Sequence, residues 1–374
     1  MKKNYLQKIV ESPFSSIFLL TLISVLSSCS HNRPAEKRTP SQSQSVLNEE
    51  YISADEEAQF KELALRVRRV QLEQSIDNKK PVVRGTHPKS HACFKAQLTI
   101  DSNIPLELRQ GIAAQEQTYE ALVRFANAWP YQRSDKLPDI HGMSVKVFGV
   151  SGPRLNPDEE SDSQDFLAND IPNASTPDAA TLVALTEASA KGDVEVAKFL
   201  AQNPRVAQTF LKEGMRRGIR SLRAPLDGLD YFSGTPFLWG NRAAKFIWRP
   251  CGQRREQVDP YYVNTFGENF LSKDIVQQVA TKGICFNFFV QLQTDPEAHP
   301  IEDSSVNWDE VLSVPQKVGT LQIPRQLGHS KSMKAKCENS KFNPWNGLES
   351  HRPLGNTNRA RKLIYAGSRK QRGL

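Results

Sequence analysis

The chain has 374 residues, 38% of them hydrophobic, which is enough for one large domain or two modest ones with a real core. A mean hydropathy of -0.53 excludes a polytopic membrane protein. The net charge of +8 does not mark a chain-wide nucleic-acid surface: after Glu349 come seven bases and no acid, and without that short segment the balance is about +1.

At the start, Lys2, Lys3 and Lys8 precede an apolar run over 14–26 that is too short to span a bilayer comfortably, so 1–28 reads as a signal peptide. The run ends in Leu26-Ser27-Ser28-Cys29, which resembles the lipobox of bacterial lipoproteins. That resemblance implies an acylated Cys29 and an exported protein anchored to the membrane of the cell envelope, at its periplasmic face. Ser30 carries no inner-membrane retention signal, so the outer membrane is expected. Residues 29–52 are mostly polar and rich in Ser, Pro and Gln, a solvated tether, and the folded domain is expected over 53–374.

Within the domain, 54–77 carries apolar residues at helical spacing behind an acidic first turn, a surface helix. Alternation over 92–100 and 143–150 predicts half-buried strands. Between them 106–128 reads as helical at first, with an end at Leu122-Val123-Arg124-Phe125 that suits helix or strand. The acidic stretch 157–165 reads as a solvated loop or strand edge, and 166–172 as a short strand. A nearly continuous helical pattern covers 179–217, with breaks near Gly192 and Pro204. Strands return over 235–249 and 283–293. The mixture predicts an α+β fold with a sheet or barrel at its centre. Cys93, Cys251, Cys285 and Cys337 form no Cys-x-x-Cys pair, which argues against structural zinc; disulfides are permitted in an oxidising compartment, but the spacing does not pair them.

Two clusters carry chemistry. Arg84 precedes His87 by three residues just before a strand, an arrangement that a surface-loop histidine would also give. His87, His91 and Cys93 admit a metal-ligand reading, although Pro88 disfavours a helical pair of ligands. Near the other end Arg361 and Tyr365 share a helix face, with Arg372 two turns further on. A phenol titrates at about 10, so a tyrosine ligand must be held as phenolate, which a ferric ion beside a guanidinium would do.

These clusters belong to an ordered series. Arg84-Gly-Thr-His87-x-Lys, Val123-Arg124-Phe125, Gly142-Met-Ser-Val-Lys146, Asp165-Phe-Leu-Ala-Asn169-Asp-Ile-Pro172 and Arg361-x-x-x-Tyr365 followed by Arg372 resemble, in order, motifs of the haem catalase family. Phe342-Asn-Pro-Trp-Asn and His351-Arg-Pro-Leu-Gly are similar to the short catalase-related branch, which lacks a flavodoxin-like C-terminal domain. The resemblance implies an antiparallel β-barrel core with surrounding helices and a haem b cofactor. Tyr365 would be the axial ligand, His87 the distal acid/base and Asn169 the amide that orients peroxide. Arg84, Arg124 and Arg372 would bind the haem propionates, and Arg361 would hold Tyr365 anionic.

Three positions depart from the pattern: Ala126 replaces a serine, His141 an arginine, and Asn173-Ala174-Ser175 an aromatic pair, which implies a wider, more polar distal pocket. The expected activity is a catalase-like peroxidase acting on hydrogen peroxide or organic hydroperoxides, with an electron donor and an oligomeric state that the sequence does not specify. A lipid-hydroperoxide isomerase of the allene oxide synthase type, or a haem-binding lipoprotein without turnover, are the alternatives.

Overall fold

The computed structural model describes residues 47–77, 81–156, 162–219, 224–327 and 330–374, all within the unit Ser45–Leu374. Cys29 and the signal sequence lie outside the described residues. The described strands are β1 (Lys89–Ile100), β2 (Thr118–Asn127), β3 (His141–Phe148), β4 (Ser163–Asn169), β5 (Tyr231–Phe232), β6 (Phe237–Trp239), β7 (Arg242–Pro250), β8 (Ile284–Leu292) and β9 (Gln316–Ile323).

All described pairings are antiparallel. The ladder runs β5-β4-β3-β2-β1-β9-β8-β7, and β5 also pairs with β7, so eight strands close into a barrel with β6 appended to β7. Alternation along the strands explains the closure. Phe94, Ala96 and Leu98 on β1, Ala121, Val123 and Phe125 on β2, Met143, Val145 and Val147 on β3, and Phe166 and Ala168 on β4 all join one core. Aromatic rings fill that core: Trp248 stacks on Phe288 at 4.1 Å, and Phe166 meets Phe246 edge to face at 5.2 Å. The barrel interior is packed, so chemistry must sit outside it.

The alternate residues point outward, and here two expectations change. The stretch 106–128 is not helical: two short 3-10 turns at Leu106–Leu108 and Gly111–Ala113 lead into β2, because Leu122 and Arg124 face an outer layer while Val123 and Phe125 face the core. Ser163, Gln164 and Asp165 are also buried strand residues, and the Asp165 carboxylate pairs with Lys146 at 2.8 Å. Of the stretch 157–165, residues 157–161 lie outside the described residues, and its end joins β4, where the charge of Asp165 has a partner.

Helices wrap the barrel: α1 (Glu56–Asp77), α2 (Ala179–Lys191), α3 (Asp193–Gln202), α4 (Pro204–Ile219), α5 (Pro260–Phe266), α6 (Phe270–Lys282), α7 (Lys331–Asn339) and α8 (Asn356–Gln371). Gly192, at φ +107, separates α2 from α3, and Pro204 opens α4, as the sequence predicts. On α1, Phe60, Leu63 and Val67 form a helical stripe packed on Ala360, Leu363 and Ile364 of α8. Just before α1, Glu50 pairs with Arg352 and Arg359 and accepts from the Gly355 amide, fastening the entering chain to the start of α8. Disulfides join Cys93 to Cys337 and Cys251 to Cys285. The first ties α7 to the outer face of β1.

Candidate functional site

His87 stands just before β1 in the left-handed region, at φ +59, a conformation that costs of order 1–3 kcal/mol for a residue with a Cβ. Contacts on every side hold it there. Its amide donates to Ala128 O at 3.3 Å, its carbonyl accepts from Arg124 Nη2 at 2.8 Å, and its Nε2 meets Asn169 Oδ1 at 3.0 Å. The ring lies on Gly142 of β3, which pairs with Ala126 on one side and Asn169 on the other. His87 is therefore not a surface-loop histidine. It is half-buried, and burial, then Arg124, push its pKa down to about 3. It nevertheless keeps part of its surface accessible, as do Asn169, Arg361 and Tyr365.

The metal-ligand reading of His87, His91 and Cys93 is corrected. Cys93 is in a disulfide, and His91 Nε2 bonds Asn127 Oδ1 at 2.7 Å. Among the described residues, no group of three or more His, Cys, Asp or Glu is placed to hold a metal ion.

Arg84, Arg124 and Arg372 come from a loop, a strand and a helix end, yet all three converge on the end of α7. Arg124 Nε donates to Glu338 Oε1 at 2.9 Å, and Arg372 Nη1 to Glu338 O at 3.1 Å. Arg84 Nη2 reaches the carbonyls of Cys337, Glu338 and Ser340, oxygens at the negative end of the helix. Burial works to raise the Glu338 carboxyl, but Arg124 and Arg84 outweigh it and hold it below the ordinary value. One carboxylate against three guanidiniums leaves +2. Burial first, and then Arg124 and Arg372, push Arg84 down to about 9, and the Nε atoms of Arg84 and Arg372 are buried without a hydrogen-bond partner, that of Arg84 standing 3.6 Å from Glu338 Oε2.

On α8, Arg361 Nη2 donates to Tyr365 Oη at 3.2 Å, and Nη1 donates to Asn358 Oδ1 at 2.8 Å. Asn358 is fully buried and anchored through its amide to Pro236 O, so the guanidinium is aimed by the barrel as well as by its helix. The three groups form one electrostatic neighbourhood: Arg361 helps depress His87, and Tyr365 acts on Arg84.

Arg84, His87, Arg124, Asn169, Arg361, Tyr365 and Arg372 thus lie in one neighbourhood. Sequence reasoning missed Glu338, for which Lys336-Cys337-Glu338 offers no signal beyond an adjacent cysteine, and it missed Asn358 and Gly142 as supports. Asn173 also differs from expectation. It is buried, and its amide donates to Ala174 O and Ser305 O, so its polar end stabilises a loop.

No family model matches the sequence, and no curated protein is significantly similar to it. Solved structures are similar in fold. A fungal catalase at 15% identity has a TM-score of 0.61, covering 79% of this chain and 60% of its own. Catalase A from Saccharomyces cerevisiae, at 12%, has a TM-score of 0.62 and coverages of 79% and 62%. A bacterial catalase, at 14%, has a TM-score of 0.60 and coverages of 91% and 64%. The chain thus spans under two thirds of the length of these structures, and the likeness establishes an α+β, catalase-like architecture: an eight-stranded antiparallel barrel surrounded by helices.

Proposed function

We propose that this protein is a haem-dependent, peroxide-consuming enzyme of the cell envelope, in which Tyr365 would ligate the iron. The observation that carries the reading is the +2 imbalance of the arginine cluster, which neighbours His87, Asn169 and Tyr365. Two buried Nε donors lack a hydrogen bond there, that of Arg84 standing 3.6 Å from Glu338 Oε2, and a haem would bring two propionates, the charge and acceptors that the cluster lacks. The residues therefore fit the group. Tyr365 would offer one oxygen to the iron, and the macrocycle would supply the other ligands that a bare ion would not find among the described residues.

Bound haem would supply the ferric centre at which a peroxide O–O bond breaks. The protein's part is to bind, orient and move a proton. Arg84, Arg124 and Arg372 would hold the propionates, while Arg361 stabilises negative charge on Tyr365 Oη. In the tautomer that donates Nε2–H to Asn169 Oδ1, His87 Nδ1 would be the basic nitrogen of a neutral ring. Heterolysis needs a proton carried from one peroxide oxygen to the other, and an imidazole with low proton affinity returns what it takes. Asn169 orients that ring, and its amide nitrogen would donate to the departing oxygen.

The test is reconstitution of the haem-free chain with haem b, followed by ferric spectra of wild type and Tyr365→Phe. The variant should lose the wild-type spectrum, and an unchanged spectrum would overturn the ligand assignment. Oxygen release from hydrogen peroxide, oxidation of an added electron donor, and epoxide formation from a fatty-acid hydroperoxide then separate catalase, peroxidase and isomerase chemistry. Haem binding without any of the three would leave a non-catalytic haem lipoprotein.

A further inference from the structure

Glu338 has no part in the motif series, yet it stands behind the distal histidine. Its Oε1 accepts from Arg124 Nε at 2.9 Å, and the same guanidinium donates through Nη2 to the carbonyl of His87 at 2.8 Å. A guanidinium is a rigid plane, so an acceptor on one edge sets where the other edge points. Arg124 is 3% exposed and lies on the outer face of β2 directly opposite Cys93. Cys93 is bonded to Cys337, the residue before Glu338, so the covalent link places the carboxylate beside the guanidinium that it orients. Arg84 and Arg372 hold the same chain end through its carbonyls.

We propose that Glu338 is a positioning residue: it orients Arg124, and through Arg124 it fixes the left-handed backbone of His87 so that the imidazole faces Asn169. A residue that pins the carbonyl of His87 controls where the ring can lie, because φ +59 is not a conformation the residue would keep unaided. The role deepens the reading of His87 as the proton-moving group and rests on it for its purpose. The geometry itself is measurable without haem.

The experiment is nitrogen NMR of the full chain without added haem, labelled with 15N-histidine, with His87→Gln assigning the signal. Wild type should show one neutral tautomer protonated at Nε2. Glu338→Gln keeps an oxygen acceptor for Arg124 and should preserve that signature. Glu338→Ala should lose it to exchange between tautomers, and Glu338→Asp, which keeps the charge but draws the acceptor back by one methylene, should do the same. If Glu338→Ala does not fold, the contrast between the Asp and Gln variants decides. A folded Ala or Asp variant with an unchanged His87 signal would overturn the proposal. Haem titration of the same variants reports the functional reading separately: the His87 response without haem binding sinks that reading alone, and haem binding without the response sinks this inference alone.

Discussion

Gly142 lies beneath His87 so closely that a Cβ at 142 would stand 2.6 Å from Cδ2 and 2.8 Å from Nε2 of the imidazole. A glycine in mid-strand normally weakens a sheet, and here it makes room for a ring. In Gly142→Ala the ring must leave its seat, because the strand pairs on both sides and cannot retreat. Peroxide consumption should fall roughly 100-fold, the scale of a lost proton-transfer group, while haem uptake persists. Spectrophotometric peroxide decay alongside a haem titration checks both halves, and undiminished turnover would refute the placement.

The arginine cluster should set haem affinity. Arg372→Gln removes one charge from a site where charge-assisted hydrogen bonds are each worth about 1.5–3 kcal/mol, so affinity should weaken roughly tenfold to a hundredfold. Arg124→Gln should weaken it too and disturb His87 as well, since that guanidinium also holds the His87 carbonyl. Haem titrations that leave Arg372→Gln indistinguishable from wild type would remove this residue from the propionate site.

Acid should destabilise the fold through its buried histidines. Burial pushes His351 down to about 4 and leads the drop of His87 to about 3, and it lowers His91 as well. Unfolded imidazole titrates at about 6.5, so below that pH the unfolded chain binds more protons than the folded one. Stability present above about pH 6.5 is therefore lost as pH falls towards 4, at about 1.4 kcal/mol per pH unit for each such histidine. Urea unfolding across this range should show the slope, and His351→Gln should reduce it by one proton's worth. A flat profile would contradict the burial of these rings.

The two disulfides should differ in worth. Cys93–Cys337 closes a separation of 244 residues and Cys251–Cys285 one of 34. Loop entropy alone makes the longer closure worth about 2 kcal/mol more. Paired Cys→Ala variants compared by denaturant midpoint test this, and the Cys93/Cys337 pair should also loosen α7 and slow haem uptake. Equal losses from both pairs would show that strain or residual structure outweighs chain entropy.

Cys29→Ser should release the protein from membranes into the soluble envelope fraction if this cysteine is the acylation site. Labelling with a radioactive fatty acid, followed by fractionation, gives the answer. A labelled, membrane-bound serine variant would place the anchor elsewhere.

Much of the architecture was written locally in the chain. The strands at Lys89–Ile100, His141–Phe148 and Ile284–Leu292 show in alternation, and the breaks at Gly192 and Pro204 show in residue type, because both signals need only neighbours in sequence. Ordered motifs likewise marked His87, Asn169, Arg361 and Tyr365, which the fold brings into one neighbourhood. What remained for the tertiary structure was partnership across distance. Whether Leu122 to Phe125 is helix or strand depends on the core and α7 layers it separates. Whether three arginines form a site or coat a surface depends on Glu338, more than two hundred residues from Arg84 and Arg124. Periodicity is a property of a segment, whereas charge balance and the seat of His87 on Gly142 exist only once the barrel brings separate strands side by side.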